Sequence, residues 1–360
     1  MTTATRSRLS AFWDRCAFSI GDVDFLWIDV ALGAMAHGEW SAFERRLAEG
    51  LACAARAESG RESMDEDAVD DAATAFRYER DLISGSDLSA WLERAGVSTE
   101  EWMAYVRRDV LRRTWAAEMD DILDRFAPSP RQLEASAVAE GICSGVFDEF
   151  EHSFAGRVAA AFDADQAVLQ TGEHASPTLE SSAARLARQH AHWLVMRSEA
   201  DTRARLVTVL RLEESFRAVS GRLTSEESLR KIVEANRLVW VLIELDTVAF
   251  ASQDAAREAV LCVREDGASL HEVGALSRHT VRRTRVFLED VPREHRDRLL
   301  SAEPGQVLGP LSVDGHFEVT TVIGRIAPTL DDNRVVERAR QAVLDGAARQ
   351  AMRDHVRRDR

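Results

Sequence analysis

Apolar residues recur at helical spacing through most of the first two thirds of the chain. The segment that follows the capping pattern Ser98-Thr99-Glu100-Glu101 and the segment Val23 to Met35 both have this spacing and predict helices. The sequence Pro128-Ser129-Pro130 interrupts the pattern. The pattern therefore predicts a helical N-terminal domain over residues 1–126 and a helical middle region over residues 127–235.

The period of the pattern changes in the last third of the chain. The second half of the apolar run Leu238–Phe250 alternates between apolar and polar residues, which predicts a β-strand. A second, Arg-rich strand is predicted from Val281 to Leu288. Asp314-Gly315 is a turn signal before the strand His316–Ile323, so the chain there predicts a hairpin. Helical segments lie between these strands, and together they predict an α+β module over residues 236–327.

Four segments of this module resemble the parvulin-type peptidyl-prolyl isomerases. They are Val248–Ala256, Gly267–Val273, Leu300–Leu311 and Phe317–Arg325. The third, with its Pro304-Gly305-Gln306-Val307 and Gly309-Pro310-Leu311, is the most specific of the four. The resemblance implies a four-stranded sheet wrapped by short helices.

The helical region has a resemblance of its own. Phe76–Leu82, Asp87–Leu92 and Glu101-Trp102 resemble the N-terminal domain of SurA-like chaperones and, more closely, parvulin-related proteins associated with the maturation of ribosomally made, modified peptides. A terminal helix of SurA-like chaperones packs back on the N-terminal helices, and the resemblance implies the same for residues 328–360. That helix has an apolar side, beginning at Val335, for which its own module has no evident need.

The resemblance also indicates where catalytic residues would lie. Parvulins bind an X-Pro segment in an apolar pocket flanked by two histidines, and those positions fall here on Thr247 and Glu318, which are expected to face one another across a common cleft. His316, on the same side of the last strand as Glu318, and His279 are the substitutes that the sequence offers. Charged residues around Glu289-Asp290 replace the apolar residues of the proline pocket. Whether the protein is an enzyme stays open.

Five residues of the module are predicted to contact an extended peptide. They are Thr247, Arg283, Arg285, Phe287 and Glu318. Strand periodicity directs Arg283 and Arg285 to one side and Arg282 to the other, so the first two could bind acidic side chains of a peptide. The alternative is charge pairing of these arginines with Glu289, Asp290 or other acidic residues of the chain.

Composition and charge narrow the range of partners. A chain of 360 residues accommodates two or three domains, and its net charge of −15 disfavours nucleic acids and anionic membranes as partners. The four cysteines lack metal-ligand spacing and no cofactor fingerprint is present, so we expect neither a metal nor a cofactor. Met1 to Arg15 has no apolar signal core, and the predicted location is the cytoplasm.

The leading hypothesis is a SurA-like peptide-binding chaperone or accessory protein of peptide maturation whose isomerase module is inactive. Its partner would be a peptide or unfolded polypeptide, such as a precursor peptide together with its modifying enzyme. An active prolyl isomerase that uses His316 or His279 is the first alternative. A structural partner of a peptide-modifying enzyme is the second.

Overall fold

The computed structural model describes residues 11–60, 65–170, 176–194, 198–313 and 315–358. These residues form two compact units, one comprising the residues up to Ser220 together with those from Ala347 onward, and the other comprising Gly221–Gly346.

The secondary structure is mostly helical before residue 240 and mixed after it. The helices span Trp27–His37, Trp40–Ser59, Glu66–Glu79, Gly85–Ala95, Thr99–Thr114, Met119–Phe126, Pro130–Ser144, Val146–Ala164, Pro177–Gln189, Ala191–Leu194, Glu199–Leu223, Glu226–Ala235, Gln253–Glu265, Leu270–Ser277, Arg293–Ser301 and Asn333–His355. The strands are β1 (Cys16–Ile20), β2 (Val23–Leu26), β3 (Leu242–Phe250), β4 (Arg282–Phe287), β5 (Val307–Val313), β6 (His316–Ile326) and β7 (Val356–Arg357). The predicted fold class, with its helical N-terminal region, four-stranded sheet and C-terminal helix, is confirmed.

Capping residues determine where several helices begin. The Ser98 hydroxyl accepts a hydrogen bond from the Glu101 N–H at 3.2 Å, and the Glu101 carboxylate accepts one from the Ser98 N–H at 2.8 Å. This reciprocal pair satisfies two N–H groups that have no partner within the helix. The predicted helix start at Ser98 is therefore confirmed.

The core of the first unit surrounds the helix Val146–Ala164. Phe147, Phe154 and Val158 of this helix are fully or almost fully buried in one large apolar cluster. Close packing against the neighbouring helix depends on Gly33, because a Cβ atom at that position would lie 2.5 Å from the Phe154 ring. The glycine thus admits an aromatic ring that any larger residue would displace.

A β-hairpin lies near the start of the first unit, where the sequence predicted only helices. The prediction of one helix from Val23 to Met35 is wrong for its first four residues, which form β2. Phe18 of β1 and Phe25 of β2 stack with their ring centroids 4.8 Å apart, and Gly21 turns the chain with a φ of +60°. The two strands are short, and β7, which pairs with β1, comes from the far end of the chain, so a local pattern did not reveal them.

Residues after Ala347 contribute to the first unit. Ala351 and Met352 are buried in its core, and β7 pairs with β1 through Ile20 and Val356. Arg358 donates a hydrogen bond from Nε to Glu151 Oε1 at 3.0 Å.

The beginning of the helix Asn333–His355 contributes to the second unit instead. Val335 and Ala339 are fully buried against Trp240, Leu242 and Phe287. The expectation that the module has no need of this apolar side is wrong, because the module uses it to cover one end of its sheet. The helix Glu226–Ala235, which the sequence assigned to the middle region, also packs in this cluster.

The sheet of the second unit has the order β4-β3-β6-β5, and every neighbouring pair is antiparallel. Successive residues of a strand point to opposite faces. We call face A the side of the even-numbered residues of β3, and face B the side of its odd-numbered residues. The predicted Asp314-Gly315 turn joins β5 and β6, but Asp314 itself lies outside the described residues.

Different helices cover the two faces. On face A, Val248 and Phe250 pack under the helices Gln253–Glu265 and Leu270–Ser277. On face B, Ile243 and Leu245 pack with Leu299 of the helix Arg293–Ser301. The polar residues of β3 are Glu244, Asp246 and Thr247, and they belong to the candidate site.

Candidate functional site

The two positions where the resemblance locates catalytic histidines both lie on face B. Thr247 of β3 pairs with Thr320 of β6, and Glu318 of β6 pairs with Ala249. Thr247 and Glu318 are therefore diagonal neighbours on adjacent strands. The expectation that they face one another across a cleft is wrong, since they belong to one continuous sheet surface.

Thr247 is a buried residue whose hydroxyl group already has a partner. Its Oγ1 atom lies 3.1 Å from Oγ1 of Thr320, and the two residues are 6% and 2% exposed. Each hydroxyl can donate to or accept from the other. This pair satisfies two buried polar groups and leaves no basic or acidic group at the first histidine position.

Glu318 lies between two basic side chains on face B. Its Oε1 atom is 3.7 Å from Nη2 of Arg282 and 3.5 Å from Nε2 of His316. His316 therefore lies on the predicted side of β6, next to Glu318. The position of the second histidine is occupied by a carboxylate that is paired with a guanidinium group.

His279 belongs to a different surface. Its ring meets the ring of Phe250 edge-on, with centroids 4.9 Å apart, and Phe250 points to face A. The sheet thus separates His279 from His316 and Glu318. These two histidines cannot act on one substrate atom.

The strongest polar cluster of the module lies on face A and was not predicted. Asp246, which is 3% exposed, accepts two hydrogen bonds from Arg283, one from Nε and one from Nη2, each 2.8 Å long. His271 Nε2 lies 3.2 Å from the same carboxylate. The Arg283 hydrogen bonds lower the pKa of Asp246, and His271 lowers it further, against the opposing effect of burial. An acidic residue inside an apolar strand, two residues after Glu244, was the signal that could have identified this cluster.

The predicted alternative for the arginines, charge pairing within the chain, is confirmed, and the partners are acidic residues other than Glu289 and Asp290. Arg283 pairs with Asp246, and Arg285 donates from Nε to Glu244 at 3.2 Å. Glu289 and Asp290 pair instead with Arg338 of the C-terminal helix. The register of β3 on β4 explains this choice, because it sets Asp246 opposite Arg283 and Glu244 opposite Arg285.

Phe287 is a core residue and not a surface for a peptide. Its side chain packs with Trp240 and Leu242 and is 7% exposed, and the guanidinium group of Arg338 lies 3.8 Å from its ring centroid. A cation over an aromatic face is a stabilising arrangement. The prediction that Phe287 contacts a peptide took its side chain as exposed, whereas the fold buries it.

The five residues predicted to contact a peptide do not line one surface. Thr247 and Glu318 point to face B, whereas Arg283, Arg285 and Phe287 point to face A. A single extended peptide lying over one face could reach only one of these two groups.

The chemistry available at the site is limited. In the part of the chain that the structure describes, no group of three or more His, Cys, Asp or Glu side chains is arranged to hold a metal ion. None of the described helices is both long enough and apolar enough to cross a bilayer. The polar side chains described above form ion pairs and one hydroxyl pair, and such side chains can bind polar groups of a ligand.

No protein-family model matches this sequence, and no curated protein matches it. Among solved structures, the chain is similar to the foldase protein PrsA from Lactococcus lactis, with 12% identity and a TM-score of 0.25 over 59% of this chain and 82% of that one. It is also similar to PrsA from Bacillus subtilis, with 8% identity and a TM-score of 0.21 over 59% of this chain and 87% of that one. Both TM-scores are too low to support a functional inference, so the function is inferred from the residues of this chain.

Proposed function

We propose that the protein binds extended or unfolded polypeptide and does not accelerate prolyl isomerisation. The observation that supports this most directly is the state of the two histidine positions. Thr247 is buried and bonded to Thr320, and Glu318 is held between Arg282 and His316. The framework of an isomerase is retained, and the groups that would act on an X-Pro bond are replaced.

The physical reason concerns the surroundings of the proline. Rotation about an X-Pro bond passes a barrier of about 18–20 kcal/mol, and a catalyst must hold the ring in a dry, apolar environment. Glu318 and Arg282 are charged and retain water around them. A proline ring bound there would remain partly hydrated, so rotation about the X-Pro bond would not be accelerated.

The proposed partner is an extended peptide, and the finer form of the proposal is a ribosomally made precursor peptide together with its modifying enzyme. The resemblance to peptide-maturation proteins suggests this class. Binding of an extended peptide is supported by the edge strand β4, which pairs on one side only among the described residues, since such edges bind extended peptides through main-chain hydrogen bonds.

Isothermal titration calorimetry tests the binding half of the proposal. The full chain is titrated with a permanently unfolded polypeptide, for example reduced and carboxymethylated lactalbumin, and with a precursor peptide encoded beside its gene. We expect saturable binding of the unfolded polypeptide, with tighter binding of the precursor peptide. If neither ligand gives a binding heat, the proposal is refuted.

A second candidate function, an active prolyl isomerase, is favoured by the pairing of His316 with Glu318 on face B. A protease-coupled assay on X-Pro peptides separates the two candidates. If the protein binds polypeptide without catalysis, the wild-type protein leaves isomerisation of the X-Pro peptide at its uncatalysed rate. Acceleration that is lost in His316→Ala and kept in His279→Ala would establish the second candidate instead, because His279 lies on the other face and serves as the matched control.

A further inference from the structure

The strand β4 forms an outer edge of its sheet. Its neighbour is β3, and among the described residues no strand pairs with its other side. Four consecutive residues, Arg282 to Arg285, are exposed. An edge strand of this kind presents backbone N–H and C=O groups that can pair with another extended chain.

The register identifies which backbone groups point outward. The Leu288 N–H donates to Val241 O at 2.9 Å, and these two residues continue the β3–β4 register without a shift. In an antiparallel pair, hydrogen-bonded and non-hydrogen-bonded positions alternate. The groups of Arg282, Thr284 and Val286 therefore bond to β3, and those of Arg283 and Arg285 point away from it.

A side chain confirms this direction. Nη1 of Arg334 lies 3.3 Å from the carbonyl oxygen of Arg285, which it reaches from outside the sheet. Arg334 is itself held by Asp332 at 2.8 Å. The outward carbonyl of β4 is thus accessible to a donor that does not belong to the sheet.

Two of the exposed side chains of β4 on face A are arginines. In the Arg283–Asp246 pair the arginine side chain is 57% exposed and the carboxylate 4%, and in the Arg285–Glu244 pair the values are 47% and 20%. The carboxylates fix the guanidinium groups in position but lie beneath them. An incoming chain would therefore meet positive charge, although the whole protein has a net charge of −15.

An open groove lies beside the same edge. It has a volume of about 780 Å³ and is lined by Glu244, Arg283, Thr284 and Arg285 on one side and by Thr329, Asp331, Asp332, Asn333 and Arg334 on the other. Two of its three carboxylates are paired within the chain, Glu244 with Arg285 and Asp332 with Arg334. All of these residues belong to the second unit. The groove offers space and polar partners for an extended segment next to β4.

We propose that the edge of β4 binds an extended acidic segment of a polypeptide as an added strand. This inference rests on the proposed function, because it specifies where and by what chemistry a polypeptide is bound. The N–H and C=O groups of Arg283 and the N–H group of Arg285 pair with the main chain of the segment, next to the Arg285 carbonyl that accepts from Arg334. Acidic side chains at alternate positions of the segment, opposite Arg283 and Arg285 on face A, meet the exposed guanidinium groups.

A matched pair of variants at Arg285 tests the main-chain contact. Arg285→Ala removes the guanidinium group and the pair with Glu244 but keeps the N–H group. Arg285→Pro removes the same side chain and also the outward N–H, and an edge strand tolerates proline where the N–H faces outward. We expect Arg285→Pro to bind about tenfold more weakly than Arg285→Ala, since one main-chain hydrogen bond is lost.

The probe is a fluorescein-labelled synthetic peptide of alternating glutamate and valine, whose binding to the full chain is followed by fluorescence anisotropy. Two control peptides accompany it, one N-methylated at alternate residues and one with lysine in place of glutamate. Both should bind more weakly than the probe. Circular dichroism of each variant establishes that it is folded, and if Arg285→Pro does not fold, the N-methylated peptide tests the same contact on the wild-type protein.

The outcomes separate this inference from the proposed function. If neither the probe nor an unfolded polypeptide binds the wild-type protein, the proposed function is refuted and the inference with it. If an unfolded polypeptide binds but the acidic probe does not, or if N-methylation or Arg285→Pro has no effect on probe binding, the proposed function stands and the edge of β4 is not the site.

Discussion

At the scale of single residues, Asp246 is the most unusual group in the module. Its carboxylate is buried, yet its pKa is lowered from 3.8, because the hydrogen bonds from Arg283 have a larger effect than burial. A carboxyl group with a lower pKa in the folded state stabilises the fold above about pH 3.8. This stabilisation is lost as the pH falls through the folded-state pKa.

We therefore expect Asp246→Asn to reduce the free energy of unfolding at neutral pH by about 1 kcal/mol, a modest value because Arg283 is exposed to solvent. The variant should also lose less stability than the wild-type protein on acidification. Urea denaturation at neutral and acidic pH measures both effects. Glu244→Gln is the control, since Glu244 is more exposed than Asp246 and should have a smaller effect. Identical acid sensitivity of Asp246→Asn and the wild-type protein would contradict this account.

The hydroxyl pair of Thr247 and Thr320 allows a second test at this scale. Valine has nearly the shape of threonine and lacks the hydroxyl, so each single substitution leaves one buried hydroxyl without its partner, at a cost of about 1–2 kcal/mol. The double variant should cost less than the sum of the two by about 1 kcal/mol. Denaturation of Thr247→Val, Thr320→Val and the double variant completes the cycle, and strict additivity would mean that the two hydroxyls do not interact.

The sequence predicted the direction of the arginines but not their partners. Strand alternation correctly separates Arg282 from Arg283 and Arg285. The partner of Arg283 lies 37 residues away in the chain, on a strand whose register local patterns do not determine. A slip of one residue would turn Asp246 to the opposite face, so the ion pairs could be identified only from the three-dimensional pairing.

At the scale of elements, a helix or strand could be predicted where the residues that determine it lie close together in the sequence. Helices that begin at strong capping residues, such as Ser98, were located correctly because their signals lie within four residues. The β1–β2 hairpin was missed because its strands are short and its sheet is completed by Val356 and Arg357. Long-range pairing of this kind leaves no local pattern in the sequence.

Helix packing gives a test that compares two glycines inside helices. At Gly141 an added Cβ would overlap the buried ring of Phe147, whereas at Gly346 nothing lies within 4 Å. We expect Gly141→Ala to destabilise the protein by about 1–3 kcal/mol through overpacking, and Gly346→Ala to stabilise its helix by about 0.5–1 kcal/mol. Thermal unfolding of the two variants measures the opposite signs. A stabilising effect of Gly141→Ala would mean that the helices Pro130–Ser144 and Val146–Ala164 pack less tightly than described.

At the scale of the whole molecule, the fold class was predictable and the limits of the compact units were not. The change from helical to alternating periodicity correctly indicated a sheet in the last third of the chain. The helices Glu199–Leu223 and Asn333–His355 each contribute residues to both units, so the division falls inside continuous helices. Apolar periodicity identifies the buried side of a helix but not the core in which it is buried.

The central proposal is that the module, whose sequence resembles the parvulin-type isomerases, binds polypeptide and does not catalyse isomerisation. Exchange spectroscopy by nuclear magnetic resonance, on a proline-containing peptide with saturating amounts of the protein, measures binding and isomerisation together. The account predicts saturable changes in the peptide signals with a cis–trans exchange rate that stays at its slow uncatalysed value, on the order of tens to hundreds of seconds per event. A protein-dependent increase in the exchange rate, or peptide signals that do not change at all, would contradict it.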